Sequence, residues 1–337
     1  MPRPRTKRTS WMPVGVYLLR GKYVLRRDGA QITLAPGTAS QRDVLAAYLE
    51  ATQTAAPELT LAGLIAEYQA GDRWRKLARR TQADATHALA IVARTPTKAG
   101  SSFGEVPARA ITVVTIRKYL DKRGQASETR ADRELAYLSS VFGWARQRGL
   151  VDTNPCEGVS RYNPPARTRY VTHEEFTQRY WLAGERGRAD LQAAMWFAYL
   201  CRLRIGEILR LRESDVLDAG LLARRAKGSK TQVISWTDTL RDAVAQARSV
   251  PRRTATQHLI ISPESGLPLT PAAFSTAWQR LKVHAQTAGH AIDWTFHDLK
   301  AKGVSDAEGD KRLASGHKSV AMTERYDRLP GKAPATR

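Results

Sequence analysis

The spacing of hydrophobic residues changes twice along this chain of 337 residues, and each change marks a different kind of structure. Short β-rich runs occupy residues 16–34 and are separated by glycine-containing turns at 20–21 and 28–29, which predicts a three-stranded antiparallel sheet. Residues 59 to about 160 show helical spacing and no strand alternation. From Thr172 onward, predicted helices flank one β-hairpin. The pattern therefore predicts an α+β multidomain protein.

These changes place the domain boundaries at residues 1–57, 58–160 and 161–337. We expect a small three-stranded sheet with one helix in the first domain, an all-α second domain, and a mainly α third domain with a hairpin or small sheet. Asn-Pro steps between about 152 and 169 break regular structure, which predicts a linker there. The predicted helices cover residues 40–54, 59–69, 81–94, 114–123, 129–148, 173–184, 189–201, 273–289, 297–314 and 319–328.

The charge of the chain points to a polyanionic partner. Lys and Arg number 54 against 32 Asp and Glu, which gives a formal net charge of +22. Such an excess repels itself unless a polyanion shares it, and nucleic acid is the leading candidate. A solvated charged surface is the alternative for any single basic run. The residues of the first two domains that we expect to contact DNA are Arg3, Arg5, Lys7, Arg8, Arg75, Lys76, Arg79 and Arg80.

Several classes of protein are disfavoured by the sequence. Cys156 and Cys201 lie far apart and outside any zinc-binding spacing, so a disulfide framework or a structural zinc site is not supported. The longest apolar run, residues 193–201, is about half of a membrane span, and the basic start lacks the apolar stretch of a signal peptide. We expect a soluble, cytoplasmic protein that requires no metal or other cofactor and no membrane.

The chemistry most compatible with these features is phosphodiester transfer, which needs positive donors to the phosphate, an acid for the leaving oxygen and a nucleophile. The acidic residues form no metal-ligand motif, so cationic side chains with a protein nucleophile are favoured over bound metals. Each candidate taken singly also has a structural interpretation, as a surface ion pair, a packing histidine or a core tyrosine. The candidate residues are Arg204 with Glu207 one turn later, Lys227 and Lys230 in the predicted hairpin turn, His297 with Lys300, His317 and Tyr326.

The order of these residues resembles the tyrosine recombinase family, of the phage integrase type, over nearly the whole chain. An Arg is followed by a Lys in a β-turn, a His-x-x-cation segment, a Gly-His pair and a Tyr nine residues later. Three positions depart from the usual family pattern. Cys201 and Arg202 stand where Thr-Gly usually precedes the first arginine segment, and Lys300 stands where the second box normally ends in Arg.

The resemblance implies a role for each residue. Arg204 and Lys300 are expected to hold the scissile phosphate while Tyr326 attacks phosphorus and forms a 3′-phosphotyrosyl link, which requires neither ATP nor a metal. Because a lysine lacks the guanidinium fork, we expect Lys300 to weaken this stabilisation. Lys302 is a second candidate for the phosphate.

The remaining groups are expected to move or share protons. His297 is the expected acceptor of the tyrosine proton, and His317 an expected hydrogen-bond donor to the phosphate. Lys227 is expected to protonate the leaving 5′ oxygen, with Lys230 as its substitute and as a DNA contact. The sequence does not indicate whether Tyr326 acts in its own subunit or in a neighbouring one.

The beginning of the chain is similar to the arm-binding domain of lambda-like integrases, in which a basic tail precedes a three-stranded sheet. The resemblance implies an arm-type DNA-binding domain, a helical core-binding (SAM-like) domain and a catalytic domain over the three predicted regions. It also implies a homotetramer on double-stranded DNA with core-type and arm-type sites, which integrates or excises a phage or other mobile element. An excisionase and a DNA-bending host factor are further candidate partners. The alternatives that stay open are a catalytically weakened DNA-binding protein, a chromosome-dimer resolvase and a type IB topoisomerase-like enzyme.

Overall fold

The structure is a computed structural model that describes residues 11–27, 30–52, 58–226 and 229–330. The chain forms two compact units, Met1–Pro164 and Pro165–Arg337. Their boundary falls inside the predicted linker, and residues 151–172 contain no helix or strand. The predicted fold class is confirmed, with a three-stranded sheet, a helical region and a mainly helical last region that carries a small sheet. The separation of residues 1–57 from 58–160 as independent domains stays a prediction.

The first unit contains one sheet and six helices among its described residues. In chain order these elements are β1 Val16–Leu19, β2 Lys22–Arg27, β3 Ala30–Pro36, α1 Gln41–Thr52, α2 Leu61–Ala70, α3 Asp72–Arg75, α4 Arg79–Arg94, α5 Val113–Gly124 and α6 Glu128–Arg146.

The N-terminal sheet is an antiparallel meander in the order β1-β2-β3. Arg20 and Gly21 connect the first two strands with φ angles of 48° and 75°. Two consecutive left-handed residues are what a tight hairpin of this twist requires, so the predicted turn is confirmed. Met12, Val16 and neighbouring apolar side chains form a small core beneath α1. The helical remainder of the unit has a separate core centred on Leu61 and its neighbours from α2, α5 and α6.

The second unit is mainly helical, with a small sheet. Its elements are α7 His173–Glu185, α8 Ala189–Leu200, α9 Ile205–Ile208, β4 Val216–Leu217, β5 Gly220–Ala223, β6 Gln232–Ser235, α10 Asp238–Arg248, α11 Pro271–Thr287, α12 Phe296–Ser305, α13 Lys311–Ser315 and α14 Val320–Glu324.

Helix α8 is the scaffold of this unit because the apolar run of residues 193–198 is buried on almost every side. Helices α10 and α12 both pack against it. A Cβ atom added to Gly303 of α12 would lie 2.0 Å from the Tyr199 carbonyl oxygen, so the close approach of α12 to α8 requires glycine there. Side chains on α12 are therefore presented from a rigid element.

The structure corrects two of the predicted helices. The helix predicted over 297–314 is two helices, because Gly309 has a φ of 67° and Asp310 caps a new helix by accepting from the amides of Arg312 and Leu313. The helix predicted over 319–328 ends at Glu324, so the residues after it form a turn. Helix α10 lies in a region where no helix was predicted.

The predicted hairpin in the second unit is confirmed as β5 paired antiparallel with β6, and β4 adds a third strand. Both cysteines are free and buried, and desolvation raises the pKa of the Cys156 and Cys201 thiols to about 12. Neither thiol is therefore activated as a nucleophile. None of the helices in the described residues combines the length and the apolar character that a bilayer crossing needs.

Candidate active site

The structure brings five of the predicted side chains of the second unit to a common site. All except Lys300, which lies in the middle of α12, are at a helix end or in a first turn, where short capping contacts fix the backbone. The amide and hydroxyl of Thr295 both donate to Asp298, which fixes the first turn of α12. The side chains that meet are those of Arg204 before α9, His297 and Lys300 on α12, His317 after α13 and Tyr326 after α14.

The phenol of Tyr326 lies at the centre of this site. Its hydroxyl oxygen is 3.0 Å from Nε2 of His297. The ring centroid lies 5.2 Å from that of His317 and 5.2 Å from Nζ of Lys300. The tyrosine is thus surrounded by groups of its own chain.

Ion pairs fix the backbone directly after this tyrosine. Asp327 accepts from Nζ of Lys311 at 2.8 Å, and Nη1 of Arg328 donates to the buried carboxylate of Asp298 at 2.6 Å. The amide of Arg328 also donates to Oγ of Ser305 at 2.8 Å. The chain that follows Tyr326 is therefore fastened to α12 and α13.

The Arg204 guanidinium is held by the carboxylate predicted for it. Its Nη1 lies 3.1 Å from Oε1 of Glu207, whose side chain is almost completely buried. The same carboxylate accepts from the amides of Arg204, at 2.8 Å, and Ala226, at 3.0 Å. Burial raises the pKa of Glu207, but the two amides and the charges of Arg204 and Lys300 outweigh it and lower the pKa overall. An ionised Glu207 thus orients Arg204 toward the end of β5.

Lys300 lies deeper than the predicted phosphate contact. Its side chain has no exposed surface, and Nζ donates to the carbonyl oxygen of Arg202 at 2.5 Å. Desolvation, followed by the charges of Arg225 and Arg204, lowers the pKa of Lys300 to about 7. The structure therefore places this ammonium group behind the open part of the site, where it is easily deprotonated.

The two histidines are held in their neutral forms. Desolvation and the charges of Lys300 and Arg204 lower the pKa of His317 to about 4. His297 is exposed, yet partial desolvation and the same two charges lower its pKa as well. Nδ1 of His317 lies 3.1 Å from Oγ of Ser315 and 3.2 Å from Oγ1 of Thr323, and its buried Nε2 has no hydrogen-bond partner among the described residues. If the threonine hydroxyl donates, Nε2 carries the proton and is free to donate.

Arg225 belongs to the same cluster and was not among the predicted residues. Its Nη1 and Nη2 each lie 2.9 Å from a carbonyl oxygen, those of Arg202 and Cys201. The signal that could have revealed it is the alternation along β5, since Leu221 and Ala223 are fully buried and residue 225 continues that face. Desolvation lowers the pKa of Arg225 to about 10.

The other predicted residues have different positions. Lys227 and the arm residues Arg3, Arg5, Lys7 and Arg8 lie outside the described residues. Lys230 is exposed, and its amide donates to the carbonyl oxygen of Gly316 at 2.8 Å, which ties the hairpin to the Gly-His segment. Lys302 is buried in an ion pair with Asp306, with Nζ 2.9 Å from Oδ2, and faces away from the site.

The remaining predicted DNA contacts belong to the first unit. Arg75 is exposed and pairs with Asp72, and Lys76 is exposed beside it. Arg79 and Arg80 are exposed in the first turn of α4. Cations at a helix N-terminus are unfavourable for the helix dipole, and a bound anion would relieve that.

A basic cavity of about 450 Å³ adjoins Glu207 in the second unit. Arg224 in its wall pairs with Asp215 at 2.6 Å. Arg210 and Arg212 are exposed in the same wall, and neither side chain has an ion-pair partner among the described residues. Within the part of the chain that the structure describes, no group of His, Cys, Asp and Glu side chains could hold a metal ion.

Comparison with known proteins agrees with this arrangement. Residues 170–331 match the model of the phage integrase family. The integrase of Escherichia phage HK022 is 27% identical over 197 residues, which are 56% of this chain and 55% of that protein. The integrase of Escherichia phage lambda is 24% identical over 218 residues, 62% of this chain and 60% of that protein. The matches thus span little more than half the length of these relatives.

Solved structures of similar fold cover almost the whole chain. A lambda integrase dimer bound to a COC′ core site covers 99% of this chain and 100% of its own with a TM-score of 0.69 at 18% identity. A lambda integrase tetramer bound to a Holliday junction gives 0.68 at 18% identity, with 99% of each chain covered. The Tn1549 transposon integrase in complex with circular intermediate DNA gives 0.64 at 14% identity, over 82% of this chain and 96% of that chain.

Proposed function

We propose that this chain, a member of the phage integrase family, is a site-specific tyrosine recombinase that integrates or excises a phage or other mobile element. The observation that carries the proposal is the 3.0 Å contact between the Tyr326 hydroxyl and Nε2 of His297, beside Arg204, Lys300 and His317. A phenol next to a neutral base and a cluster of cations is suited to attack a phosphodiester.

In the proposed step, His297 takes the proton of Tyr326 and the phenolic oxygen attacks phosphorus. The bond between phosphorus and the 5′ oxygen breaks, and the strand stays joined to the protein through a 3′-phosphotyrosyl bond. Lys227 gives its proton to the leaving 5′ oxygen. Because the pKa of His297 is lowered, its imidazole is neutral at physiological pH and can accept the tyrosine proton. The reverse sequence rejoins a strand and restores every proton.

The phosphate charge is met by three groups in this scheme. Arg204 contacts the phosphate directly because its guanidinium is oriented by Glu207 and partly exposed. His317 donates through Nε2, which is buried and lacks a partner among the described residues. Lys300 contributes its charge from behind the carbonyl of Arg202, and the nearby phosphate favours its protonated form.

Double-stranded DNA is the proposed substrate, with core-type and arm-type sites. We assign the core contacts to the exposed cations of both units, Arg75, Lys76, Arg79, Arg80, Arg210, Arg212 and Lys230. The arm contacts fall to the basic start of the chain. Assembly as a homotetramer is proposed from the lambda integrase tetramer on a Holliday junction. An excisionase, a DNA-bending host factor and a location in the host cytoplasm complete the proposal.

A covalent-capture selection tests this function and identifies the DNA site in the same experiment. The protein is incubated with nicked duplexes of randomised sequence, adducts that resist denaturant are isolated, and their DNA is sequenced and resynthesised. We expect the wild-type protein and Tyr180→Phe, a matched change distant from the site, to form adducts on one core sequence. Tyr326→Phe should form none.

The other results of this selection identify the alternatives. Sequence-specific retention of DNA without any adduct would favour the catalytically weakened DNA-binding protein. Adducts of the wild-type protein on every sequence, together with relaxation of plasmids that lack the selected site, would favour a type IB topoisomerase-like enzyme. Recombination of two copies of the selected site distinguishes the proposed recombinase from both.

A further inference from the structure

The positions at which the sequence departs from the family pattern touch each other in the structure. Nζ of Lys300 donates to the carbonyl oxygen of Arg202 at 2.5 Å. Arg202 has a φ of 51°, in the left-handed region where a glycine carries no steric penalty and other residues do. Its side chain is also engaged, since Nε donates to the Gly303 carbonyl at 3.0 Å. The departures at 202 and 300 are thus one local arrangement.

Arg225 completes this arrangement from the end of β5. Its two terminal nitrogens donate to the carbonyl oxygens of Arg202 and Cys201, both at 2.9 Å. The Arg202 oxygen therefore accepts from two cationic groups. Both carbonyls belong to the turn that leads into Arg204, two residues later. A forked donor across consecutive carbonyls fixes the direction of such a turn better than a single donor can.

We propose that Arg225 is a positioning residue for strand cleavage: its guanidinium holds the Cys201–Arg202 turn against Lys300 and thereby aims Arg204 at the phosphate. This inference rests on the proposed function, because aiming matters only if Arg204 meets a phosphate. Arg225 does not need to touch the DNA for this role. Both of its terminal nitrogens are already used by the turn.

The Arg225 side chain packs closely against the segment before His317, and its buried Nε has no hydrogen-bond partner among the described residues. A Cβ atom on Gly316 would lie 2.9 Å from Nε of Arg225, so a glycine there leaves room for the side chain. That glycine has a φ of 65° and directly precedes His317. The same guanidinium thus lies between the turn that carries Arg204 and the segment that carries His317.

Arg225 also influences Lys300 through its charge. After desolvation, the Arg225 charge is the largest cause of the lowered pKa of Lys300. The groups that face Lys300 from the surrounding elements are Arg204 before α9, Glu207 of α9, Arg202 of the turn, Arg225 after β5, His317 after α13, Tyr326 after α14 and His297 on its own helix. Removal of the Arg225 charge should therefore raise the pKa of Lys300.

Two replacements of Arg225 separate the effect of its planar guanidinium from the effect of its positive charge. Arg225→Lys keeps the positive charge, but one ammonium group cannot reproduce a planar fork across two carbonyls. Arg225→Gln loses both the charge and the fork. Arg224→Gln is the matched control, because Arg224 is adjacent, carries the same charge and is mostly exposed beside Asp215.

The experiment measures single-turnover adduct formation on the selected nicked site at low DNA concentration between pH 6 and pH 9. We expect both Arg225 variants to cleave about 100-fold more slowly than wild type, with DNA affinity unchanged within about threefold. The decline of the rate at alkaline pH should move to higher pH in Arg225→Gln and stay in place in Arg225→Lys. Arg224→Gln should match the wild-type protein in each measurement.

A titration independent of activity accompanies this assay. NMR of isotope-labelled lysine side chains, with Lys300→Arg used for assignment, reports the protonation of Lys300 directly. Its midpoint should rise in Arg225→Gln and not in Arg224→Gln. An unchanged midpoint, or cleavage by Arg225→Gln within threefold of wild type, would overturn the inference. A rate loss matched by an equal loss of DNA affinity or of melting temperature would overturn it too, because it would indicate only a structural role.

The proposed function and this inference fail in different ways. If the wild-type protein forms no adduct in the selection, the function is wrong, and the NMR midpoint still decides whether Arg225 controls Lys300. If wild type forms adducts that Tyr326→Phe abolishes, and Arg225→Gln forms them at a rate within threefold of wild type, only the inference is wrong.

Discussion

The two faces of helix α12 each bury a lysine, and the surroundings of these lysines differ in sign. Nζ of Lys302 lies 2.9 Å from a carboxylate oxygen of Asp306 and 2.9 Å from the hydroxyl of Tyr170. Lys300 has a main-chain carbonyl as its hydrogen-bond partner, and the charges of arginines 202, 204 and 225 around it outweigh that of Glu207. Both side chains are at most 1% exposed. Equal burial therefore accompanies opposite electrostatic environments on one helix.

This contrast separates a structural cation from a functional one. A buried charge that has its counter-ion is satisfied by the fold itself. A buried charge surrounded by like charges is unfavourable in the free protein, and an external anion would relieve it. The carboxylate of Asp306 compensates the Lys302 side of α12, and the excess of cations on the Lys300 side is where we propose that the phosphate binds.

The largest expected effect is on the chemistry of the uncompensated side. Lys300→Met should reduce single-turnover cleavage by about 1,000-fold, because it removes a preorganised charge close to the phosphate. The same change should raise the melting temperature, since it removes a desolvated charge that lacks a carboxylate partner. Calorimetry and the adduct assay measure the two effects on one sample. A cleavage rate of Lys300→Met within tenfold of wild type would show that the charge of Lys300 is not important for cleavage.

On the compensated side, Lys302→Met should have the opposite signature. It leaves Asp306 without its cation, so we expect the free energy of unfolding to fall by about 2 kcal/mol. Urea denaturation measures this loss, and the double variant Lys302→Met/Asp306→Asn should recover part of it. Cleavage per folded molecule should stay near wild type. An unfolding free energy equal to that of wild type would show that the pair contributes nothing.

The pH dependence of the cleavage rate should come from Lys300 and not from Lys302. Cleavage needs protonated Lys300, whose pKa in the free protein is lowered to about 7, so the rate at low DNA concentration should fall about tenfold from pH 6 to pH 8. Lys300→Arg should remove this decline because arginine stays charged, and Lys302→Met should keep it. The measurement is the adduct rate across this range. A decline that persists in Lys300→Arg would assign it to another group.

The smallest expected effect is anion binding in the absence of DNA. Sulfate at about 20 mM should raise the melting temperature of the wild-type protein by roughly 2 °C, because it binds the folded state at the uncompensated cations. The increment should shrink in Lys300→Met and persist in Lys302→Met. Sodium chloride at the same ionic strength is the control for screening. Equal increments in both lysine variants would locate the anion elsewhere.

The resemblance to the tyrosine recombinase family is what predicted that Arg204, His297, Lys300, His317 and Tyr326 would share one site. Arg204, His297, His317 and Tyr326 each lie at a helix boundary with local capping signals, and such boundaries can be read from sequence. The hairpin at Arg20 and Gly21 was predictable for the same reason.

The role of Arg225 was not predictable in this way. It depends on the left-handed backbone of Arg202, which turns two carbonyls toward the end of β5, and a non-glycine residue gives no sequence signal for that conformation. The break between α12 and α13 was missed although Gly309 and Asp310 are a local helix-end signal and a local helix-start signal. The Lys302–Asp306 pair has i,i+4 spacing and was therefore a local sequence signal that distinguishes Lys302 from Lys300, whereas only tertiary packing places Arg204 and Arg225 near Lys300.

The fastening of the chain after Tyr326 has a consequence for how a broken DNA strand would be kept. A DNA strand joined to the phenolic oxygen would be connected through Asp327 to α13 and through Arg328 to α12. Helix α12 carries His297 and Lys300, and α13 precedes His317. The covalently held DNA end and the side chains that would rejoin it would then move together. The protein would not need to rebind the cleaved DNA end before rejoining the strand.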